Sequence, residues 1–324
     1  MNMTMTRHLP ANAFTRVFHP TQGRCTLELL NLLLRLTVKS RLGLHIDIPK
    51  LRGKFSQLNR QASPALLARV KRENVVCNGV SAQWLSPEGH QPDRVLLYIH
   101  GGAFVAYTPD VYAAMVSSWC QGLKTRALLV DYRLAPEHPY PTALEECLAA
   151  YRWLLDQGFR ARDIVIAGDS AGGNLVMATL QHLKADKQPL PSCAILLSPF
   201  LDLTLSGESA LTNAPRDPIF TLPFAVGVRA FYAPADTYSK ASVSPLFGDF
   251  SGLPPLLFQV GSTEMLLDDS VRAAAKANAS GVPVQLEIWK RLPHVFQLIP
   301  ALPQARAAEQ SIRNFVHEYT DWDG

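Results

Sequence analysis

The chain has no apolar run long enough to cross a bilayer, no internal repeat and no low-complexity tract. A spanning helix and a solenoid are therefore not expected. Cysteine is sparse. Cys25, Cys77, Cys120, Cys147 and Cys193 are odd in number, scattered, and without CxxC or Cys/His ligand spacing. That usage predicts reduced, packed thiols in a cytoplasmic protein, and argues against a disulfide framework or a metal site. The opening residues, MNMTMTRHLPANAFTRVF, lack the apolar stretch of a secretory signal. No nucleic-acid motif is present. Carboxylates are scarce at the start: residues 1–74 hold 3 Asp/Glu against 13 Lys/Arg, a net of +10, whereas the remainder holds 24 against 18, a net of −6. The plain reading is a solvated basic face. The sharper one is weak attraction to anionic membrane or substrate surfaces.

What is present is ordinary globular material, 48% hydrophobic and 18% charged over 324 residues, enough for one large or two smaller domains. Thr26 to Lys39, TLELLNLLLRLTVK, is apolar over most of a helical surface, with Glu28, Arg35 and Lys39 as its charges. Ser63-Pro64 opens a short helix to about Lys71. No strand is expected before residue 74, so residues 1–72 read as a separate helical cap segment and 73–324 as the body.

Beyond residue 74 the rhythm changes. Val75 to Trp84, Arg94 to Ile99, Arg126 to Asp131, Ile164 to Ala167, Cys193 to Leu197, Leu256 to Val260 and Val284 to Trp289 read as strands. Helices of 10–15 residues alternate with them, which implies βαβ units and a mainly parallel sheet covered on both faces. Residues 200–240, rich in aromatics and proline, interrupt the rhythm. They read as a helical excursion that joins the N-terminal segment over a site.

The chain is organised around IVIAGDSAGGNLVM, 164–177. A short apolar strand, a reversal at Gly168-Asp169-Ser170-Ala171-Gly172 and a helix form the G-x-S-x-G nucleophile elbow. It exposes the Ser170 hydroxyl at a helix N-terminus, where free N–H groups favour negative charge. Acyl transfer by serine also needs a base, an acid that orients it and oxyanion donors. Among histidines beyond the elbow helix, His294 follows the last strand in a loop and His317 sits inside the terminal helix, so position selects His294. The acid should follow the strand ending near Val260; Glu264 is the first carboxylate there, and Asp268 is the alternative. Oxyanion donors should come from Ala171 and from Gly101 and Gly102, in the His100-Gly101-Gly102-Ala103-Phe104 loop after a strand. Phe104, Phe200, Phe220, Phe231 and Phe296 are candidates for lining an acyl pocket, or else ordinary core.

Four motifs in order, HGGA at 100–103, DYRLAPEHPYP at 131–141, GDSAG at 168–172 and the GSTEMLLDD…LPHVF run at 261–296, resemble the hormone-sensitive lipase-like (family IV) carboxylesterases, GDSAG subgroup. The resemblance covers residues 75–318. It implies an α/β-hydrolase fold with a mainly parallel eight-stranded sheet and a helical cap. By it Ser170 is nucleophile and His294 base, while Gly101, Gly102 and Ala171 form the oxyanion hole. Two departures stand out: HGGA replaces HGGG, and Glu264-Met265-Leu266-Leu267-Asp268 replaces the commoner D-P-L-x-D, placing Glu where Asp is usual. The expected activity is hydrolysis of short- to medium-chain carboxylic esters through an acyl-enzyme, with no metal or cofactor, no nucleic acid and no integral membrane association. A deacetylase, lactonase or amidase would use the same triad. A non-catalytic ligand-binding member, such as the plant gibberellin receptor, is the alternative of another class. The resemblance makes a homodimer through an edge strand at 284–289 plausible.

Overall fold

The computed structural model describes residues 13–19, 24–43 and 45–322, with the side chains of 24 and 25, and so the Cys25 thiol, outside the description. One sheet of nine strands carries the chain, not eight. The additional strand is β1 (Thr15–Phe18), within the segment where none was expected. After it come α1 (Arg24–Thr37), α2 (Ile48–Asn59) and α3 (Pro64–Leu67). The Val75 to Trp84 stretch is not one strand but an antiparallel hairpin, β2 (Val70–Cys77) and β3 (Val80–Pro87). Asn78 and Gly79 turn it with φ of 50° and 90°. Asn-Gly is the dipeptide that accepts two positive φ angles in a tight hairpin, and that signal was present in the sequence.

The rest alternates strictly. β4 (Val95–Ile99), α4 (Pro109–Leu123), β5 (Arg126–Val130), α5 (Thr142–Asp156), β6 (Ile164–Asp169), α6 (Ser170–Ala185) and β7 (Cys193–Leu197) follow in order. The excursion holds α7 (Ser209–Thr212) and α8 (Leu222–Tyr232). β8 (Leu256–Gly261), α9 (Leu267–Ala279), β9 (Val284–Trp289) and α10 (Pro303–Tyr319) complete the chain. The spatial order is β1-β9-β8-β7-β6-β4-β5-β3-β2. Every pair from β1 to β5 is parallel, and only β3 and β2 run against their neighbours.

Each central strand buries both faces. In β4, Val95, Leu97 and Ile99 join the core on the α5, α6 and α9 side. Leu96 and Tyr98 join the core against α4 and α10. This is why those strands read as continuous apolar runs without alternation. Strand 284–289 is not an edge: β1 lies on its outer side in parallel register, Thr15 opposite Leu286 and Phe18 opposite Trp289. The Phe18 and Trp289 rings stack at 4.1 Å. The route to a dimer through that strand is therefore closed. A four-residue strand pairing along one side only leaves little trace in sequence, which explains its omission.

The N-terminal helices and the excursion do meet. Ile48 and Leu51 of α2 form one apolar cluster with Phe224 and Val228 of α8, and with Val105 and Ala106 beyond β4. Among the described residues, no helix is long and apolar enough to cross a membrane.

Candidate active site

Parallel strands β4, β6, β7, β8 and β9 end on one edge of the sheet, so the loops after them gather there. Those five loops carry His100–Phe104, Ser170, Ser198–Phe200, Glu264 and His294.

The elbow is tight for a steric reason. A Cβ on Gly172 would stand 2.1 Å from the carbonyl oxygen of Ile99, so only glycine lets α6 leave β6 this closely. Ser170 takes a φ of 51°, a left-handed conformation that non-glycine residues avoid at a cost of about 1 kcal/mol or more. Strain of this kind persists where the surrounding structure enforces it. Ser170 is 8% exposed, at the first position of α6.

His294 and Glu264 are brought together from two loops. His294 Nδ1 lies 2.7 Å from Glu264 Oε2, with the side chains 7% and 0% exposed. The Nδ1–H donates to the carboxylate, and Nε2 is left as the basic nitrogen. Burial disfavours the charged imidazolium, but the Glu264 carboxylate and its hydrogen bond, helped by Asp217 and Asp169, outweigh it; the His294 pKa is raised above its ordinary value. The other carboxylate oxygen of Glu264 is held by the Gly261 N–H and by Ser198 Oγ, the latter at 2.8 Å. Ser198 Oγ in turn accepts from the Val295 N–H at 3.3 Å, linking the acid to the loop of the base. The Ser262 N–H donates to Trp289 O at 2.9 Å, and Thr263 Oγ1 donates to Leu292 O at 3.1 Å, so both loops are pinned together. Asp268, the alternative acid, is turned elsewhere: its carboxylate accepts from the Ser209 N–H at 2.9 Å.

Asp169, beside the nucleophile, escaped sequence reasoning. It is 1% exposed and accepts three hydrogen bonds: from Tyr98 Oη at 3.0 Å, Tyr112 Oη at 2.9 Å and the Gly101 N–H at 2.8 Å. Burial pushes its pKa up, and these donors oppose that shift. The third bond corrects the expected oxyanion hole. The Gly101 N–H is already donated to Asp169 and is not free for a substrate oxyanion. One and two residues on, Gly102 has a φ of 117° and Ala103 of 57°. A Cβ on Gly102 would meet Ala106 O at 2.0 Å, so this glycine is required. Among the described residues no partner takes the N–H of Gly102 or Ala103. A carboxylate at the residue before the serine was the available signal for Asp169, since the motif reads G-D-S-A-G. Ser198 offered none: it depends on pairing across 66 residues.

The five phenylalanines separate. The Phe220 ring meets His294 edge-on at 4.6 Å and stacks with Phe224 at 5.7 Å. Phe200 is 5% exposed, and its N–H donates to Ser170 O at 3.0 Å. Phe104 is buried and stacked on Tyr232 at 3.6 Å. Phe231 packs against the α2–α8 cluster. Phe296, fully buried, packs with Leu27, Trp289, Leu292 and Ala305 in a separate core, because it turns inward two residues after the base. A cavity of about 500 Å³ opens between residues 41–54 and α8, lined by Leu42, Ile46, Leu51, Arg41, Lys50 and Phe224 among others. Phe224, which lines it, stacks on Phe220, and Phe220 meets His294.

A buried His–Glu pair and a serine at a strand–helix elbow, both in loops at the C-terminal edge of a parallel sheet, define a serine hydrolase of the α/β-hydrolase class. A protein-family profile described as alpha/beta hydrolase fold matches residues 96–298. An esterase of Acinetobacter venetianus is 35% identical over 293 residues, 87% of this chain and 93% of its own. An acetyl-hydrolase of Streptomyces hygroscopicus is 36% identical, over 74% of this chain and 80% of its own. Among solved structures, the esterase EstE5 superposes with a TM-score of 0.85 at 37% identity, covering 91% of this chain and 98% of that one. An esterase from the bacterial hormone-sensitive lipase family gives 0.83 at 35%, covering 90% and 97%. The chain belongs to the α/β-hydrolase family, in its hormone-sensitive lipase-like esterase branch, and is a carboxylic ester hydrolase.

Proposed function

We propose that the chain hydrolyses short- to medium-chain carboxylic esters by an acyl-enzyme route, with Ser170, His294 and Glu264 as nucleophile, base and orienting acid. The observation that carries the reading is the 2.7 Å contact between His294 Nδ1 and Glu264 Oε2, which fixes the tautomer that leaves Nε2 basic. His294 Nε2 takes the proton of Ser170 as Oγ attacks the ester carbonyl. The tetrahedral oxyanion is held by the N–H groups of Gly102, Ala103 and Ala171, while Gly101 positions the loop through Asp169. His294⁺ returns the proton to the leaving alcohol, and water then cleaves the acyl-enzyme with His294 again as base. Phe220 and Phe200 flank the reacting groups. Helix α2 and the 200–240 excursion together form a cap over the site, supported by the apolar cluster between α2 and α8; β1, being part of the sheet, lies outside that cap. A site covered by a cap suits small esters better than emulsified lipid. The Streptomyces relative, named an acetyl-hydrolase, points the same way. A reducing, cytoplasmic setting fits the four described cysteines, all free and buried.

Hydrolysis of p-nitrophenyl esters from acetate to palmitate, wild type against Ser170→Ala, tests this. Activity should peak at short chains, and kcat should fall about 10⁴-fold or more in a variant that melts like the parent. Near-normal turnover by Ser170→Ala would overturn the mechanism. A palmitate optimum would overturn the chain-length assignment.

A further inference from the structure

Helix α1 has two apolar faces, and the body needs only one. Leu27, Leu30, Asn31 and Leu34 turn inward. Leu27 is 1% exposed in the core that also holds Trp289 and Phe296, and Asn31 Nδ2 donates to Arg291 O at 2.9 Å. On the opposite side Leu29, Leu32, Leu33 and Leu36 are 57%, 49%, 49% and 62% exposed. Their spacing of i, i+3, i+4 and i+7 puts them on one continuous stripe, within an arc of about 100°. An isolated exposed leucine needs no account, whereas four on one helix face form a patch of the kind that marks an interaction site.

Charge says what the patch fits. Along α1 and just beyond it lie the cations Arg35, Lys39 and Arg41. The carboxylate of α1, Glu28, is paired with Arg291. Exposed Arg35 caps the strand of contacts to the excursion: its guanidinium donates to the carbonyl oxygen of Arg216, itself exposed, at 2.7 Å, and exposed Arg41 follows one turn beyond the helix. Lys39 Nζ reaches the carbonyl of Asp217 at 2.7 Å, so this corner of the molecule is one packed unit. A leucine face with a cationic surround matches the headgroup and acyl boundary of an anionic bilayer, where apolar burial and attraction to lipid phosphates act together. An apolar face of a second copy would bring an equal positive charge with it and would be repelled.

We propose that the Leu29/Leu32/Leu33/Leu36 face of α1 docks the protein reversibly on anionic lipid surfaces, independently of which ester it hydrolyses. Docking would act near the site, because the inward face of α1 holds Arg291 and Leu292 of the loop that carries His294.

The test is co-sedimentation of the full chain with phosphatidylcholine vesicles and with vesicles containing phosphatidylglycerol, at low and high salt, alongside light scattering. Wild type should partition onto the anionic vesicles about tenfold or more above the neutral ones, with the difference lost at high salt. Leu33→Gln/Leu36→Gln should lower anionic-vesicle binding about tenfold while leaving the melting temperature and hydrolysis of a soluble acetate ester unchanged. No binding by the wild type, equal binding to both vesicles, or a dimer in solution that this double variant dissociates would overturn the proposal.

Discussion

The sheet edge and the N-terminal corner of this molecule treat their surfaces in opposite ways. At the edge the two site carboxylates are buried and answered: Glu264 by His294, Ser198 and Gly261, Asp169 by two tyrosine hydroxyls and an N–H. In the corner, α1 leaves four leucines in water and keeps cations exposed beside them. Low dielectric and fixed donors make the edge rigid and let small displacements matter. The outward leucine face of α1 can change without disturbing the chemistry, because the contacts to the His294 loop come from its inward face. The difference teaches that conformational precision in this fold is concentrated where strands end, and that its outer helices are held by one face only.

The sharpest way to break this comparison is to loosen the edge. Glu264→Gln should cut kcat about 10²- to 10⁴-fold, because the imidazole loses its orienting charge. The pH profile carries a second readout. Activity requires neutral His294, whose pKa is raised, so kcat/KM should fall as pH drops through a value above the ordinary histidine range. In Glu264→Gln the opposing burial is left dominant, and the acid limb should move to lower pH. An unmoved limb would show that Glu264 does not set the charge state of the base.

Next in size is Asp169→Asn. The amide keeps one acceptor oxygen for three donors, so at least one buried donor loses its partner. Stability should fall by about 1–3 kcal/mol, read as a shift in the denaturant midpoint. Activity should fall too, through Gly102 and Ala103, with kcat affected more than KM. A variant as stable and as active as the parent would refute the positioning role.

The smallest effect belongs to the cap. Phe220→Ala removes the ring edge-on to His294 and should raise KM for a butyrate ester about three- to tenfold, with kcat changed less. Steady-state kinetics decide it: a kcat loss as large as that of Glu264→Gln would mean Phe220 holds the base rather than lines the pocket.

Much of the edge was legible in the sequence because it is built from local signals. GDSAG marks the elbow, the order Ser170, Glu264, His294 follows the strands, and apolar runs outline β4 to β9 closely. What was missed depends on long-range pairing. β1 is four residues whose partner lies about 270 positions away, so no local pattern outweighs its neighbours. Gly101 looked like a donor to substrate because nothing local shows that Asp169, 68 residues on, takes its N–H. Phe296 stood open between pocket and core, and the structure decides for core: Val295 takes a φ of 47° and Phe296 packs with Leu27 and Trp289.

The sequence by itself determined the class of chemistry, singled out Ser170 and His294 as candidates, and set the alternation of strands and helices, since these rest on residue type and short-range periodicity. Only the tertiary structure decided which of Glu264 and Asp268 faces His294, which glycine keeps its N–H free, and which leucines of α1 meet water. Those outcomes are set by where one loop lies against another, and a chain does not encode distance between remote residues until its core has packed.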